Sequence, residues 1–178
     1  MELNGETLRF IREHCKDDVR SLALQAPKYP GVDMPVALTQ IAGRQAAAEK
    51  IPSWHEEEGV LYPRHLSLEQ CSSEATARYK ASIIPESSSG TLTDLPGGFG
   101  IDCAFLSPRF HHVTYVERQE VLCEIASHNF PLLGLNHIRI ENKDGIRHLQ
   151  EMSSVDWIFI DPARRDGHGG EVVFTRGW

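Results

Sequence analysis

Two rhythms of apolar and polar residues divide the chain. The first half repeats with helical spacing: "ETLRFIREH" sets Leu8, Ile11 and Arg12 on one side, "DDVRSLALQA" opens with acids in its first turn, and "DMPVALTQIAGRQAAAEK" carries Pro near its start and many Ala and Gln. Short turns such as "PKYPG" join these segments into an expected bundle-like cap over residues 1–85. "KIPSWHEEEGVLYPRH" breaks the pattern with Pro, Gly and a charge run, so it reads as a connecting stretch with a solvated face. "SLEQCSSEATARYKASII" reads as the last helix, either capped by Ser67 with Glu69 in its first turn or restarted at Ser72 or Ser73.

After the "PESSSG" linker the period changes, and residues 86–178 form the second expected unit. "TLTDL", "HVTYVE", "HIRIE" and "VDWIFID" read as strands, separated by helical "GIDCAFLSPRF", "RQEVLCEIASHNFPLLG" and "GIRHLQEM". The nearly unbroken apolar run of the fourth strand predicts a parallel strand covered on both faces. Strands alternating with helices give a doubly wound α/β pattern, whose ligands sit at the carboxyl edge of the sheet.

Composition narrows the function classes. The 178 residues are 40% hydrophobic and 24% charged, a globular balance without low-complexity tracts. No leader-like N-terminus and no membrane-length apolar run is present, so a cytoplasmic protein with no membrane partner is expected. Cys15, Cys71, Cys103 and Cys123 lie far apart, with no C-x-x-C spacing and no clustered His, so they are read as buried free thiols and no metal site is expected. A net charge of −7 argues against coating nucleic acid by bulk charge and leaves room for a local basic patch.

The turn after the first strand, "LTDLPGGFGID", holds three glycines where a ligand would approach bare backbone. Glu117 closes the second strand about twenty residues on, where a nucleotide-binding fold places a carboxylate for ribose hydroxyls. A helix N-terminal acid is the alternative reading of Glu117. A dinucleotide fingerprint through Gly98 and Gly100 puts Cys103 in its third glycine slot, which leaves an NAD-type protein as the weaker alternative.

"DLPGGFGID" resembles the acid-then-glycines motif of class I S-adenosylmethionine-dependent methyltransferases, with Asp94 ending the first strand and Gly97, Gly98 and Gly100 in the loop. That resemblance implies S-adenosylmethionine as cofactor, its methionine part wrapped by the loop backbone. Pro96 departs from the pattern, since it offers no N–H where these enzymes usually carry Gly, Thr or Cys. Asn142 and Asp144 in "ENKDG" stand where such enzymes often keep an acid or amide near the adenine amino group, and a solvent-exposed turn fits them equally.

"DWIFIDPARRD" is similar to the D-P-P motif of amino-methylating nucleic-acid methyltransferases, in which an acid and a backbone carbonyl hold an amine toward the sulfonium methyl. The likeness makes Asp161 and Pro162 the catalytic pair, and it gives Arg164 and Arg165 to substrate, by stacking on a base or gripping a phosphate. Ala163 replaces the second proline, so an exocyclic amine is not the sole target that fits.

Most of the chain, through "LEQCSSEATARYKA", "DLPGGFGIDCAFLS", "YVER" and "DWIFIDPARRD", resembles bacterial class I methyltransferases that carry a helical N-terminal part and a THUMP-like C-terminal domain. "SSEATARYKA" also resembles the helix preceding the first motif of trimethylguanosine synthases; by that likeness Ser73, Glu74, Tyr79 and Lys80 line the pocket, while a plain amphipathic packing helix fits them as well. The implied fold is a Rossmann-like doubly wound parallel sheet, incomplete here, behind a small all-helical region, and the implied substrate is RNA or another nucleic acid. The expected later strands and THUMP-like domain do not follow "GGEVVFTRGW", so a shortened chain, a changed reading frame or a non-catalytic fragment is expected, with an oligomer covering the bare sheet edge.

Overall fold

The computed structural model describes residues 3–85 and 90–161. Six helices come first: α1 (Gly5–Glu13), α2 (Val19–Leu24), α3 (Met34–Lys50), α4 (Pro52–Glu56), α5 (His65–Gln70) and α6 (Glu74–Ile83). Their starts follow local chemistry, because the side chains of Asn4, Asp18, Asp33 and Ser73 accept from main-chain N–H groups of the first turns of α1, α2, α3 and α6. Of the two readings of "SLEQCSSEATARYKASII", the restart at Ser73 holds, and Ser67 lies inside α5. On α1 the buried residues are Thr7 and Phe10; of the side read from the sequence, Ile11 is partly buried against the apolar cluster around Phe10 while Leu8 and Arg12 are exposed. Thr7 earns that place through a bond from the Asp33 N–H to its hydroxyl (3.0 Å).

The second half alternates β1 (Thr91–Leu95), α7 (Ile101–Leu106), β2 (His112–Glu117), α8 (Glu120–Leu132), β3 (Ile138–Asn142), α9 (Gly145–Glu151) and β4 (Trp157–Ile160). The sheet is parallel throughout with order β3-β2-β1-β4. Right-handed crossovers of this α/β kind bring the carboxyl ends of β1, β2 and β4 to one edge. Asp94 pairs in register with Tyr115 of β2 and Phe159 of β4.

Two apolar clusters hold the chain together. A smaller one joins α1, α2 and α3 through Phe10, Leu22, Met34, Ala37 and Ile41. The larger one joins the end of α3 (Ala47), Trp54 of α4 and the stretch Val60–Tyr62 to Leu92, Ile101, Val113, Tyr115 and Phe130 around the sheet. Complete burial of each large aliphatic or Phe side chain among them stabilises by roughly 1.5–3 kcal/mol.

The stretch expected to be a mere connection is therefore core. Asn129 of α8 clamps Leu61, accepting from its N–H and donating to its carbonyl (both 2.9 Å), and Gln40 of α3 does the same to Tyr62 (2.8 and 2.9 Å). Two amides thus supply the strand partner that this extended backbone lacks. Glu56, Glu57 and Glu58 are exposed, in line with a solvated charge run.

β4 departs from the expectation of a strand covered on both faces. Among the described residues it pairs with β1 alone, and Trp157, Ile158 and Ile160 are 42%, 46% and 57% exposed. An apolar run marks a strand for burial without saying what buries it.

Candidate functional site

Asp94 is the penultimate residue of β1, and the central position of its strand places it inside the molecule, 1% exposed. Neither of its carboxylate oxygens meets a hydrogen-bond donor, and neither does Oδ1 of Asp102 in the first turn of α7. These three atoms are the only buried side-chain N or O atoms without a partner among the described residues. Native structures keep few such groups, and each calls for a cause. Burial, and next the charge of Asp102, hold the Asp94 carboxyl well above the usual carboxylate range, while the Cys103 thiol beside it offsets part of that shift. Burial, followed by the Asp94 charge, pushes the Cys103 thiol up in turn.

Between the two acids runs the glycine loop. Gly97 N–H donates to the Val116 carbonyl (2.8 Å), Gly100 N–H to the Gly97 carbonyl (2.9 Å), and the Tyr115 hydroxyl to the Gly98 carbonyl. Two of the glycines are explained by the protein's own rings. A Cβ on Gly97 would stand 2.1 Å from Cε2 of Tyr115, and one on Gly100, whose φ is +88°, would stand 2.9 Å from Cζ of Phe130. Gly98 differs: at φ +56° it is left-handed, yet its Cβ direction meets nothing within 4 Å. Of the loop's three glycines, Gly98 alone turns bare backbone toward open space.

Glu117, at the end of β2 as the sequence predicts, braces this loop. Its Oε2 accepts from Gly98 N–H (3.0 Å) and its Oε1 from Gln119 N–H (2.9 Å), the residue that caps α8. Its two oxygens thus tie the glycine loop to the start of α8.

Across from the loop, the Lys80 ammonium of α6 donates to Asp161 Oδ2 (2.9 Å), Asp102 Oδ2 (3.0 Å) and Ser72 Oγ (3.0 Å), and lies 5.0 Å from the centroid of the Phe159 ring. Ser72 also donates to Asp102 Oδ2 (2.8 Å). Burial works against the Lys80 charge, but its bonds to Asp161 and Asp102 prevail and raise its pKa. The structure thus brings Lys80, Asp161 and the loop's flanking acid together.

Other predicted residues stand elsewhere. Ser73 caps α6 through Thr76 N–H (3.2 Å), and the serine in the cluster is its neighbour Ser72. Glu74 is occupied by Ser53 and Arg78, and Tyr79 is exposed. Asp144 caps α9 by accepting from Arg147 N–H (3.0 Å), and Asn142 donates to the carbonyls of Glu117 (2.9 Å) and Arg118 (3.1 Å). Pro162, Arg164 and Arg165 lie outside the described residues.

Asp102 and Ser72 were missed by sequence reasoning. An acid directly behind "GGFGI" was the available signal for Asp102, and Ser72 carried none, since its partner is thirty residues away in sequence. Among the described residues no His/Cys/Asp/Glu cluster could hold a metal, and no helix is long and apolar enough to cross a membrane. A surface groove of about 630 Å³, lined by Trp54, Arg78 and Phe105 among others, includes none of the loop residues.

No protein-family model matches the chain, and no curated protein matches it. Among solved structures, the "putative methyltransferase from Porphyromonas gingivalis W83" is 28% identical with a TM-score of 0.71, covering 89% of this chain and 40% of that one. This chain thus spans well under half the length of that protein. The C-terminal domain of precorrin-6Y C5,15-methyltransferase from Rhodobacter capsulatus is 16% identical with a TM-score of 0.47, covering 53% of this chain and 52% of that one. An rRNA methylase from Streptococcus thermophilus is 16% identical with a TM-score of 0.40, covering 45% and 44%. The four-stranded parallel sheet with flanking helices, behind a helical N-terminal region, has the Rossmann-like fold of methyltransferases.

Proposed function

We propose that this chain belongs to an S-adenosylmethionine-dependent methyltransferase that acts on RNA or another nucleic acid. The observation that carries the reading is the buried Asp94 at the end of β1, whose oxygens have no partner, next to a glycine loop that opens to space at Gly98. An acid left bare inside a protein fits a ligand group that would satisfy it, and the fold is that of methyltransferases.

In this reading Asp94 and the Gly97–Gly100 backbone hold the methionine end of the cofactor, and Glu117 accepts from its ribose while keeping the loop braced. Asp144 lies toward the adenine. S-adenosylmethionine, when bound, supplies a methyl group on a cationic sulfonium. Asp161 follows the Leu95–Ile160 register pair by one residue, and in this reading its role is to position the substrate's nucleophile and take its proton. By the likeness of the sequence motif, Pro162 goes with Asp161 and Arg164 and Arg165 go to the nucleic acid, while Lys80, with Ser72 bonded to it, stands on the substrate side in place of Ser73. The protein's own work is orientation and exclusion of water. A second chain, or further strands, covers the exposed face of β4.

Calorimetric titration with S-adenosylhomocysteine, beside a Glu117→Ala variant checked by circular dichroism, tests the cofactor reading. Loss of a charged hydrogen bond predicts binding weakened roughly tenfold or more. A folded chain that gives heat with NAD and none with S-adenosylhomocysteine overturns it. Asp161→Ala is expected to keep S-adenosylhomocysteine binding and lose methyl transfer.

A further inference from the structure

An ammonium has three N–H donors and no acceptor, and fixing the partners of two donors fixes the direction of the third. All three are in use at Lys80. Two go to groups that are also bonded to each other: Asp102 Oδ2 (3.0 Å) and Ser72 Oγ (3.0 Å), with the Ser72 hydroxyl donating to the same Asp102 oxygen (2.8 Å). The Asp102 side chain is 14% exposed and stands in the first turn of α7, so this anchor belongs to the packed frame. The break between α5 and α6 that puts Ser73 at the cap also puts Ser72 within reach of it.

The third donor goes to Asp161 Oδ2 (2.9 Å), on a side chain that is 46% exposed. An ion pair to so exposed an acid adds little to stability. Its effect is directional. Burial opposes the Lys80 charge, but the bonds to Asp161 and Asp102 outweigh it, so the ammonium keeps its three donors across neutral pH. With those donors engaged, no N–H of Lys80 is left for a substrate.

We infer that Lys80 is a positioning residue for Asp161: Ser72 and Asp102 fix its ammonium, the ammonium holds Asp161 Oδ2, and Oδ1 is thereby presented to the N–H or O–H group of the substrate that carries the nucleophile. This rests on the role given to Asp161 above and replaces direct substrate contact by Lys80, which the likeness of "SSEATARYKA" implies.

Carboxyl tagging of the whole chain with a water-soluble carbodiimide and glycine ethyl ester, followed by mass spectrometry, reads the freedom of Asp161 against exposed Glu57 as reference. Lys80→Met should raise the tagging of Asp161 severalfold, and Ser72→Ala should raise it by a smaller factor, with Glu57 unchanged in both. Ser72→Ala keeps the Lys80 charge, so its effect reports the anchoring of the ammonium. Unchanged tagging of Asp161 in Lys80→Met overturns the inference, and so does a rise there with none in Ser72→Ala. In methyl transfer from S-adenosylmethionine to unmodified RNA transcripts, Lys80→Met should lower kcat by about a hundredfold and leave KM for RNA near its wild-type value. A raised KM with kcat kept makes Lys80 a substrate contact and overturns the inference. A folded wild type that neither binds S-adenosylhomocysteine nor methylates RNA removes the function proposed above, while the tagging still decides whether Lys80 aims Asp161.

Discussion

Gly97→Ala tests the claim that this glycine serves a ring of the protein itself. The added methyl would lie 2.1 Å from Cε2 and 2.3 Å from Cδ2 of Tyr115, where carbon atoms normally keep about 3.5–4.0 Å. Tyr115 has little room to retreat, being fully buried, packed edge-on against Phe130 at 5.5 Å between centroids, and bonded through its hydroxyl to Gly98. The strand-to-loop bond from Gly97 N–H to the Val116 carbonyl (2.8 Å) holds the other partner. Overpacking costs about 1–3 kcal/mol, and loss of one of these hydrogen bonds adds about 1 kcal/mol.

The sum is roughly 2–4 kcal/mol, which at about 2–4 °C per kcal/mol for a chain of this size lowers Tm by roughly 10 °C. Scanning calorimetry reads it directly. Gly98→Ala is the internal comparison: it meets no atom within 4 Å but must adopt φ +56°, for about 1–2 kcal/mol. Tyr115→Leu in the Gly97→Ala background should return part of the loss, the coupling expected of groups in contact. A Gly97→Ala cost under about 1 kcal/mol, or no coupling to position 115, refutes the argument.

Asn129→Ala leaves the N–H and the carbonyl of Leu61 without partners in the core; roughly 2–4 kcal/mol should be lost in urea denaturation, and a loss below about 1 kcal/mol would mean that the strap is held by its apolar side chains alone. Asp94→Asn should raise Tm near neutral pH. The folded pKa of Asp94 is raised by burial and Asp102, so from about pH 4 up to that value the folded chain binds the extra proton and loses stability as pH rises. The variant's advantage should therefore shrink toward about pH 4, and an equal gain at both pH values contradicts the assignment.

How much of this was legible depended on how local the cause was. β1 and β2 fall on the residues read from the sequence, Thr91–Leu95 and His112–Glu117, because buried central strands bounded by Pro, Gly and charged residues leave little choice of period. β3 is displaced by one residue, ending at Asn142, whose amide is drawn to the carbonyls of Glu117 and Arg118. The role of residues 60–62 was hidden, since Gln40 and Asn129 reach them from 22 and 68 residues away. The glycines announced a tight backbone, but whether a ring or a ligand required it could be read only once Tyr115 and Phe130 were in place. The exposure of β4 was equally illegible, as its neighbours and not its own side chains decide it.

The helical region contributes to the candidate site through Lys80 and is not merely a cap laid over the sheet. Lys80, from the sixth helix, is the one cation bonded to both Asp102 and Asp161 among the described residues, so the acid proposed to hold the substrate is aimed by a residue from the other half of the chain. The same half supplies Ala47, Trp54 and Tyr62 to the core that backs the sheet. A movement of α6 relative to the sheet would therefore act on the orientation of Asp161 and on the freedom of Asp102 together, because one ammonium serves both. That shared contact is the physical route by which ligand entry beside Asp102 would be felt at Asp161, and it needs no element between them beyond the Lys80 side chain.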